Sequence, residues 1–292
     1  APGDPIDLFG GEFGVTEEVE LLLKEKFGLD KPLIEQYFIY ISRMLHGDFG
    51  YSYRNRMPVM TLIMERVPAT LTLMISQLIF ASSLGIVLGV ISSKKPFSLT
   101  DNIITSISSI GYSVPIFWGG QILILLFSLY LGWLPTSGIS SVRGVTGSMN
   151  LLFDKLVHLI LPVITLGTYN LAIYARFTRT SMLEQLGQDY IVTAFSKGVS
   201  GRAVYYKHAL KNAILPVVTI IGMSTGRMFG GAIVTETIFA WPGLGRLTYQ
   251  AMLSRDYPLL MGSFFVVTLA VVLANLATDI LYSYLDPRIR YR

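Results

Sequence analysis

The sequence contains no cysteine and few charged residues. Asp, Glu, Lys and Arg make up 14% of its 292 residues, against 52% for hydrophobic residues, whereas a soluble domain averages about 25% charged residues. The missing charge excludes an ordinary soluble enzyme and a disordered chain. The missing cysteine excludes disulfides, thiolate metal sites and cysteine nucleophiles. The composition therefore predicts a protein that crosses a membrane several times.

The sequence also lacks the patterns of most catalytic and binding sites. His46, His158 and His208 lie far apart, so we expect no metal site. The phosphate-loop pattern Gly-x-x-x-x-Gly-Lys-Ser/Thr does not occur, nor does a catalytic triad or carboxylate pair. The basic residues are scattered, with a net charge of +4, and are not interleaved with stacking aromatics as in a nucleic-acid site. We expect neither catalysis by this chain nor a cofactor bound to it.

Long uncharged runs are present instead. A transmembrane helix needs about 20 mostly apolar residues, and the stretches between charges meet this length five times. Within the second run, Gly111, Pro115, Gly119 and Gly120 allow bends. The predicted spans are Val67–Ser93, Ile103–Leu131, Leu156–Ala175, Asn212–Thr235 and Tyr257–Tyr284.

The distribution of lysine and arginine predicts the orientation of these spans. Lys94, Lys95 and the basic residues of the 176–211 loop and the C-terminal end face the same side, which is cytoplasmic by the positive-inside rule. The C-terminus is then cytoplasmic, and residues 1–66 form an extracellular region ahead of a membrane domain at 67–292. The pattern of that region predicts two helices, one between Thr16 and Gly28 and a second that ends at Gly47.

The polar loop at about 176–211 has helical chemistry. We predict that Asp189 caps a short helix, Tyr190 to Lys197, which Gly198 ends, and that Ser200 caps a second helix, Gly201 to Asn212. Ala194 and Gly198 are small and four residues apart, which lets a partner backbone approach closely. From spacing alone, a plain cytoplasmic hairpin explains the loop equally well.

These residues and others along the chain carry a family resemblance. The loop resembles the cytoplasmic "EAA" loop of ABC-importer permeases, and the longer Gly-to-Pro spacing is similar to the peptide/nickel branch, the DppB/OppB type. Its motifs run in order over essentially the whole chain: Pro2-Gly3-Asp4-Pro5, Gly47-Asp48-x-Gly50, Arg179-x-Ser181-Met182-Leu183, Asp189-Tyr190-Ile191-x-x-Ala194-x-x-Lys197-Gly198, Lys207-His208-Ala209-Leu210-x-Asn212-Ala213-x-x-Pro216, Glu236-x-x-Phe239-x-Trp241-Pro242-Gly243-Leu244-Gly245, Arg255-Asp256-Tyr257-Pro258 and Asp286-Pro287-Arg288-Ile289.

The chain departs from the family pattern in two places. Val192-Thr193-Ala194 stands where the loop has Glu-Ala-Ala, so only the last alanine matches. The family also has a membrane helix directly before Pro2-Gly3-Asp4-Pro5. We expect such a hydrophobic segment ahead of Ala1, which brings the spans to six.

The resemblance implies an all-α permease bundle that is not itself an ATPase. It implies a second homologous permease, two ABC ATPase subunits that hold ATP and Mg²⁺, an extracellular binding protein and a place in the cytoplasmic cell membrane. Its substrate is a di- or oligopeptide. The resemblance also implies contact between the loop and the ATPase, for which the candidate residues are Asp189, Tyr190, Ala194, Lys197, Gly198 and Ser200.

Two places are candidates for the transport path or its outer gate. Arg227 is a cation deep inside a predicted span, where a charge indicates either a pathway residue or an ion pair within the bundle. Glu236, Phe239 and Trp241 lie at the outer end of the same span, and interfacial anchoring of the aromatic residues explains them equally well.

Two other functions stay open from the sequence. A nickel importer of the same family would favour thiol, imidazole or thioether groups along its path, which are scarce here. An ion-coupled secondary transporter would need carboxylates or helix breaks at the bilayer centre and inverted repeats. The sequence has no carboxylate at the middle of a predicted span.

Overall fold

The computed structural model describes residues 31–141 and 148–285 together with Leu21, without the side chains of Leu33, residues 148 and 149, Arg227 and residues 281–285. The predicted helix between Thr16 and Gly28, apart from Leu21, and the first and last family motifs lie outside the described residues. The helices are α1 (Leu33–Leu45), α2 (Val59–Ser93), α3 (Leu99–Ser113), α4 (Ile116–Leu123), α5 (Ser148–Leu186), α6 (Asp189–Ser196), α7 (Leu210–Ile238), α8 (Leu244–Leu253) and α9 (Tyr257–Leu285).

The five predicted spans correspond to long apolar helical segments. Four single segments are long and apolar enough to cross a membrane, and one bent pair of helices makes a fifth if it is counted as one broken span. The single segments are Val59–Ser93, Asn150–Leu186, Gly201–Gly226 and Tyr257–Ile280. The all-α membrane bundle expected from the sequence is therefore confirmed.

The bent pair replaces the single span predicted over Ile103–Leu131. Helix α3 and the segment Ile116–Tyr130, whose last part is a π-helix, meet at 108°. Val114 ends α3 in an extended conformation (φ −74°, ψ 123°), and Pro115 precedes the first residue of α4. Proline disfavours the helical region for the residue before it, which places the break at this dipeptide.

The helices extend beyond the apolar runs that predicted them. Helix α2 begins at Val59 and includes Glu65 and Arg66. Helix α5 continues past Arg176 to Leu186, and Gly201–Ala203 and the π-helix Val204–Ala209 lead directly into α7. Charged residues end an apolar run without ending a helix, because a helix satisfies its own backbone groups inside and outside the bilayer.

Packing divides the chain into two compact units. One contains the described residues up to Thr70 together with Pro242–Thr268, so it joins α1 and the start of α2 to a segment far along the chain. The division predicted at residues 66 and 67 did not anticipate this pairing. The core of this unit consists of Phe49, Val59, Leu62, Ile63, Leu244, Leu247, Ala251 and Leu259.

A buried carboxylate anchors this first unit. Asp256 is 1% exposed, accepts a hydrogen bond from the hydroxyl of Ser52 and another from the backbone N–H of Arg54 at 3.3 Å. Its other oxygen accepts the N–H of Leu259 at 3.4 Å and so caps α9. The Arg255-Asp256-Tyr257-Pro258 motif thus has a structural role here.

The second unit contains Leu71–Trp241 and the chain from Leu269. Within it, α5 packs against α7, α3 and α2. Gly85 and Gly89 face α5 so closely that an added Cβ would lie 2.9 Å from the Cβ of Tyr174 and 2.5 Å from that of Thr178. Small residues four apart allow this approach of two helix backbones, as is common between membrane helices.

Candidate coupling site

The predicted hairpin forms between the end of α5 and the start of α7, in the second unit. Gly198 has φ +75°, the left-handed conformation that favours glycine, and ends the short helix. The hydroxyl of Ser200 accepts the N–H of Ala203 at 3.4 Å, as a cap does. Asp189 is the first residue of α6 and not its cap, which is Gln188. No separate second helix forms, because the chain runs on into α7.

One face of α6 is buried against the rest of this chain. Ile191 and Ala194 are 2% and 8% exposed. They pack in a cluster with Val90 at the end of α2, Met182 at the end of α5, and Val204, Ala209 and Ala213 on the way into α7. The structure therefore corrects the interpretation of Ala194: its small side chain allows close packing within this chain rather than close approach of a partner.

The opposite face of α6 is exposed and apolar. Val192 is 60% exposed and Phe195 49%, while Asp189, Lys197 and Gly198 are also exposed. This face, which sequence reasoning had not singled out, is the part of the hairpin available to another subunit.

Hydrogen bonds fix the hairpin to three helices. The hydroxyl of Tyr190 donates to the side chain of Gln185 on α5 at 2.9 Å and accepts from that of Asn212 on α7 at 3.2 Å. The ammonium of Lys94 donates to the hydroxyl of Tyr206 at 3.0 Å and lies 5.0 Å from the centre of its ring. These bonds tie α6 to α5 and α7, and the contact of Lys94 holds the end of α2 to the same element.

A buried ion pair joins α3 to α5 near this hairpin. The guanidinium of Arg179 donates from Nε to Oδ1 of Asp101 at 2.7 Å and from Nη2 to Oδ2 at 2.6 Å. The Asp101 side chain is 2% exposed and that of Arg179 is 23% exposed. Asp101 also accepts the hydroxyl of Ser92 on α2 and the N–H of Phe97 at 2.8 Å. We call these four residues the inner clasp.

The three outer candidates are buried in the second unit. Glu236, Phe239 and Trp241 are 0%, 1% and 1% exposed. The N–H of Trp241 donates to the carbonyl of Glu236 at 2.9 Å, and the N–H of Gly138 donates to that of Phe239 at 2.8 Å. Both aromatic side chains are packed inside the fold and are not exposed as a docking surface or an interfacial anchor, and their role in closing an outer gate stays a prediction.

The remaining candidate, Arg227, lies in α7, one turn after Met223. Its side chain is outside the described part of the structure, so its assignment to the transport path stays a prediction. Arg227→Gln is expected to change peptide transport kinetics if that assignment holds.

The fold and the hairpin define a class: a helical membrane protein with a short helical hairpin packed against the ends of its long apolar helices. Residues 85–291 match the protein family described as "binding-protein-dependent transport system inner membrane component". Residues 1–74 match the family that describes the N-terminal part of such components. The chain belongs to this family.

Relatives and solved structures agree with that assignment. The chain is 42% identical to the dipeptide transport system permease protein DppB of Escherichia coli, and 44% identical to the oligopeptide transport system permease protein AppB of Bacillus subtilis. In both cases 100% of this chain and 91% of the relative are covered. Its fold is similar to a chain of the inward-facing MetNI methionine ABC transporter, with a TM-score of 0.62 at 17% identity over 78% of this chain and 97% of that one.

Proposed function

We propose that the chain is the membrane-spanning permease subunit of an ATP-driven importer of peptides. Its relatives at 41 to 44% identity over the whole chain are permease proteins of dipeptide, di/tripeptide and oligopeptide transport systems. This full-length similarity is the observation that carries the proposal. Such a subunit supplies the path, while ATP hydrolysis belongs to other subunits.

The proposed complex has four kinds of partner. A second homologous permease pairs with this chain, two ABC ATPase subunits hold ATP and Mg²⁺, an extracellular binding protein delivers the peptide, and lipid surrounds the spans. The chain lies in the cytoplasmic membrane with its C-terminus inside, which the distribution of lysine and arginine supports.

Purified complex in lipid vesicles tests this function. We expect peptide, presented on the binding protein, to stimulate ATP hydrolysis and to accumulate in the vesicle. Uptake of Ni²⁺ in place of peptide would indicate the metal importer of the same family. Uptake driven by an ion gradient without ATP would indicate a secondary transporter.

The exposed apolar face of α6, Val192 and Phe195, is the proposed contact with the ATPase. Ile191 and Ala194 hold the helix against α2, α5 and α7 from behind, so a push on this face moves those helices together. Closure of an ATPase dimer on ATP supplies such a push, and the two conformations of the spans then differ in their contacts with it.

Phe195→Glu tests that contact. An aromatic residue that serves as a hot spot of an interface contributes about 2 kcal/mol or more, and a charge in its place adds a desolvation cost. We therefore expect the amount of ATPase recovered with the permease to fall by at least about tenfold. Leu99→Glu is the control, because Leu99 is 77% exposed and lies outside α6. Equal recovery with both variants would contradict the docking face.

Gly198→Val tests the shape of the hairpin. No heavy atom lies within 4 Å of an added Cβ, so the change costs no space, but φ +75° is strained for a β-branched residue by roughly 1–2 kcal/mol. We expect the variant to insert normally and to hydrolyse ATP with reduced peptide uptake. Gly201→Val is the matched control, since its site is equally open and has no positive φ. Normal uptake by Gly198→Val would count against this role of the hairpin.

A further inference from the structure

A cavity of about 680 Å³ opens in the second unit among α3, α5 and α7. Half of the side chains along it carry hydroxyl groups: Ser92, Thr105, Ser108, Ser109, Tyr112, Ser113, Tyr169, Thr180 and Ser224. The rings of Tyr112 and Tyr169 stack with their centres 4.9 Å apart. A lining of this kind offers many hydrogen bonds without charge, which suits a ligand whose own groups are mostly amides.

The charges around the cavity are of one sign. Among the described residues that line it there is no aspartate or glutamate, and the two cations are Arg176 and Arg179. Arg179 is held by Asp101 in the inner clasp. Arg176 is exposed and has no ion-pair or hydrogen-bond partner within the described part of the chain. One unpaired positive charge therefore faces an otherwise neutral, hydroxyl-rich space.

We infer that this cavity binds a peptide in transit, with hydroxyl groups along its backbone and Arg176 at its C-terminal carboxylate. This inference rests on the proposed function and goes beyond it by naming the contacts. Hydroxyl groups both donate and accept, so they satisfy the N–H and C=O groups of a peptide whatever its side chains. A guanidinium binds a carboxylate through two parallel hydrogen bonds, which fixes one end of the ligand.

This sequence contains no cysteine, so a thiol introduced into it can be followed on this subunit alone once the labelled subunits are separated. Ser109→Cys places a thiol on the cavity lining, and Ser106→Cys places one on the same helix outside that lining. Each cysteine variant is assembled with the second permease and the ATPase subunits in inside-out vesicles. The binding protein is left out. Labelling by a charged, water-soluble thiol reagent is then followed with and without trialanine. In such vesicles the added peptide has direct access to the side of the membrane that the positive-inside rule makes cytoplasmic.

We expect Ser109→Cys to be labelled and trialanine to slow its labelling, while the labelling of Ser106→Cys does not respond to the peptide. Adding Arg176→Gln to Ser109→Cys should raise the half-protecting concentration of trialanine at least about tenfold, because it removes the charge-assisted hydrogen bonds to the carboxylate. The C-terminal amide of trialanine should protect both backgrounds equally and more weakly than the free acid does in the native background. Arg176→Lys should retain part of the preference for the acid.

Other outcomes overturn the inference. A Ser109→Cys thiol that is never labelled would mean that the second permease or lipid covers the cavity. Labelling without protection would mean a water-filled space that is not a peptide site. Equal protection by acid and amide, or equal weakening of both by Arg176→Gln, would remove the carboxylate contact. If the complex still imports trialanine in these cases, the proposed function stands and only the peptide site is wrong. If it imports no peptide, the proposed function itself is wrong.

Discussion

Asp101→Asn is expected to give one of the two largest losses in stability. The substitution keeps the shape of the side chain and removes its charge, which leaves the guanidinium of Arg179, 23% exposed, without its counter-ion. Breaking a buried ion pair from one side costs about 3–5 kcal/mol, much of it from the charge left behind. We expect the apparent Tm of the detergent-solubilised complex to fall by roughly 5–10 °C, as measured by the fraction that stays monodisperse after heating.

The double variant Asp101→Asn/Arg179→Gln provides the control, because it removes both charges. It should recover a large part of the lost stability, and a double variant as unstable as the sum of the two single ones would show that the pair contributes no interaction of its own.

The inner clasp also lies between the hairpin and the cavity. Met182 and Leu186 at the end of α5 pack against the cluster that holds α6, and Arg179 stands one turn before Met182. The clasp joins this part of α5 to α3, whose serines line the cavity. We therefore expect fewer peptides carried per ATP hydrolysed in the double variant, even where its stability has recovered. An unchanged ratio would restrict the clasp to a structural role.

Local signals in the sequence predicted much of this structure. The apolar runs located the membrane segments, Gly198 located the end of α6, and Ser200 located the start of the next helical turn. Each of these depends on residues a few positions apart, because helix caps and left-handed glycines are set by neighbouring backbone groups. The family motifs between Gly47 and Pro258 fall in the described residues, and those around Gly198 and Asp256 coincide with a helix end and a helix cap.

Contacts between distant segments were not predictable in the same way. Ala194 looked available to a partner because its burial depends on α2 and α7, which the helical pattern of α6 does not report. Phe239 and Trp241 lie at a predicted span end, where aromatic residues commonly anchor to the interface, but tertiary packing buries them.

The inner clasp was missed for a related reason. Arg179 was counted as one positive charge on the cytoplasmic side, and Asp101 lay just outside the predicted second span. The spacing Ser98-x-x-Asp101 was an available signal for the start of α3, although it does not report the partner of Asp101. In the structure the hydroxyl of Ser98 accepts the N–H of Asp101 at 3.3 Å at the start of α3, which is typical of a helix N-cap.

Gly89→Ala is expected to be the other strongly destabilising change. An added Cβ would lie 2.5 Å from the Cβ of Thr178 and 2.6 Å from the carbonyl oxygen of Ala175. The second contact involves backbone, so no rotation of a side chain relieves it and α2 must move away from α5. Overpacking of this kind costs typically 1–3 kcal/mol. The displaced α2 also carries Ser92, so the inner clasp is strained at the same time.

Gly230→Ala separates this effect from the general effect of replacing a helical glycine. Gly230 lies inside α7, and no heavy atom is within 4 Å of its added Cβ. Alanine is favoured over glycine inside a helix by about 1 kcal/mol, so this variant should be neutral or slightly more stable. We expect Gly89→Ala to lower the apparent Tm of the complex and Gly230→Ala not to. If the two variants melted together, the close approach of α2 and α5 at Gly89 would not be limiting the stability of the bundle.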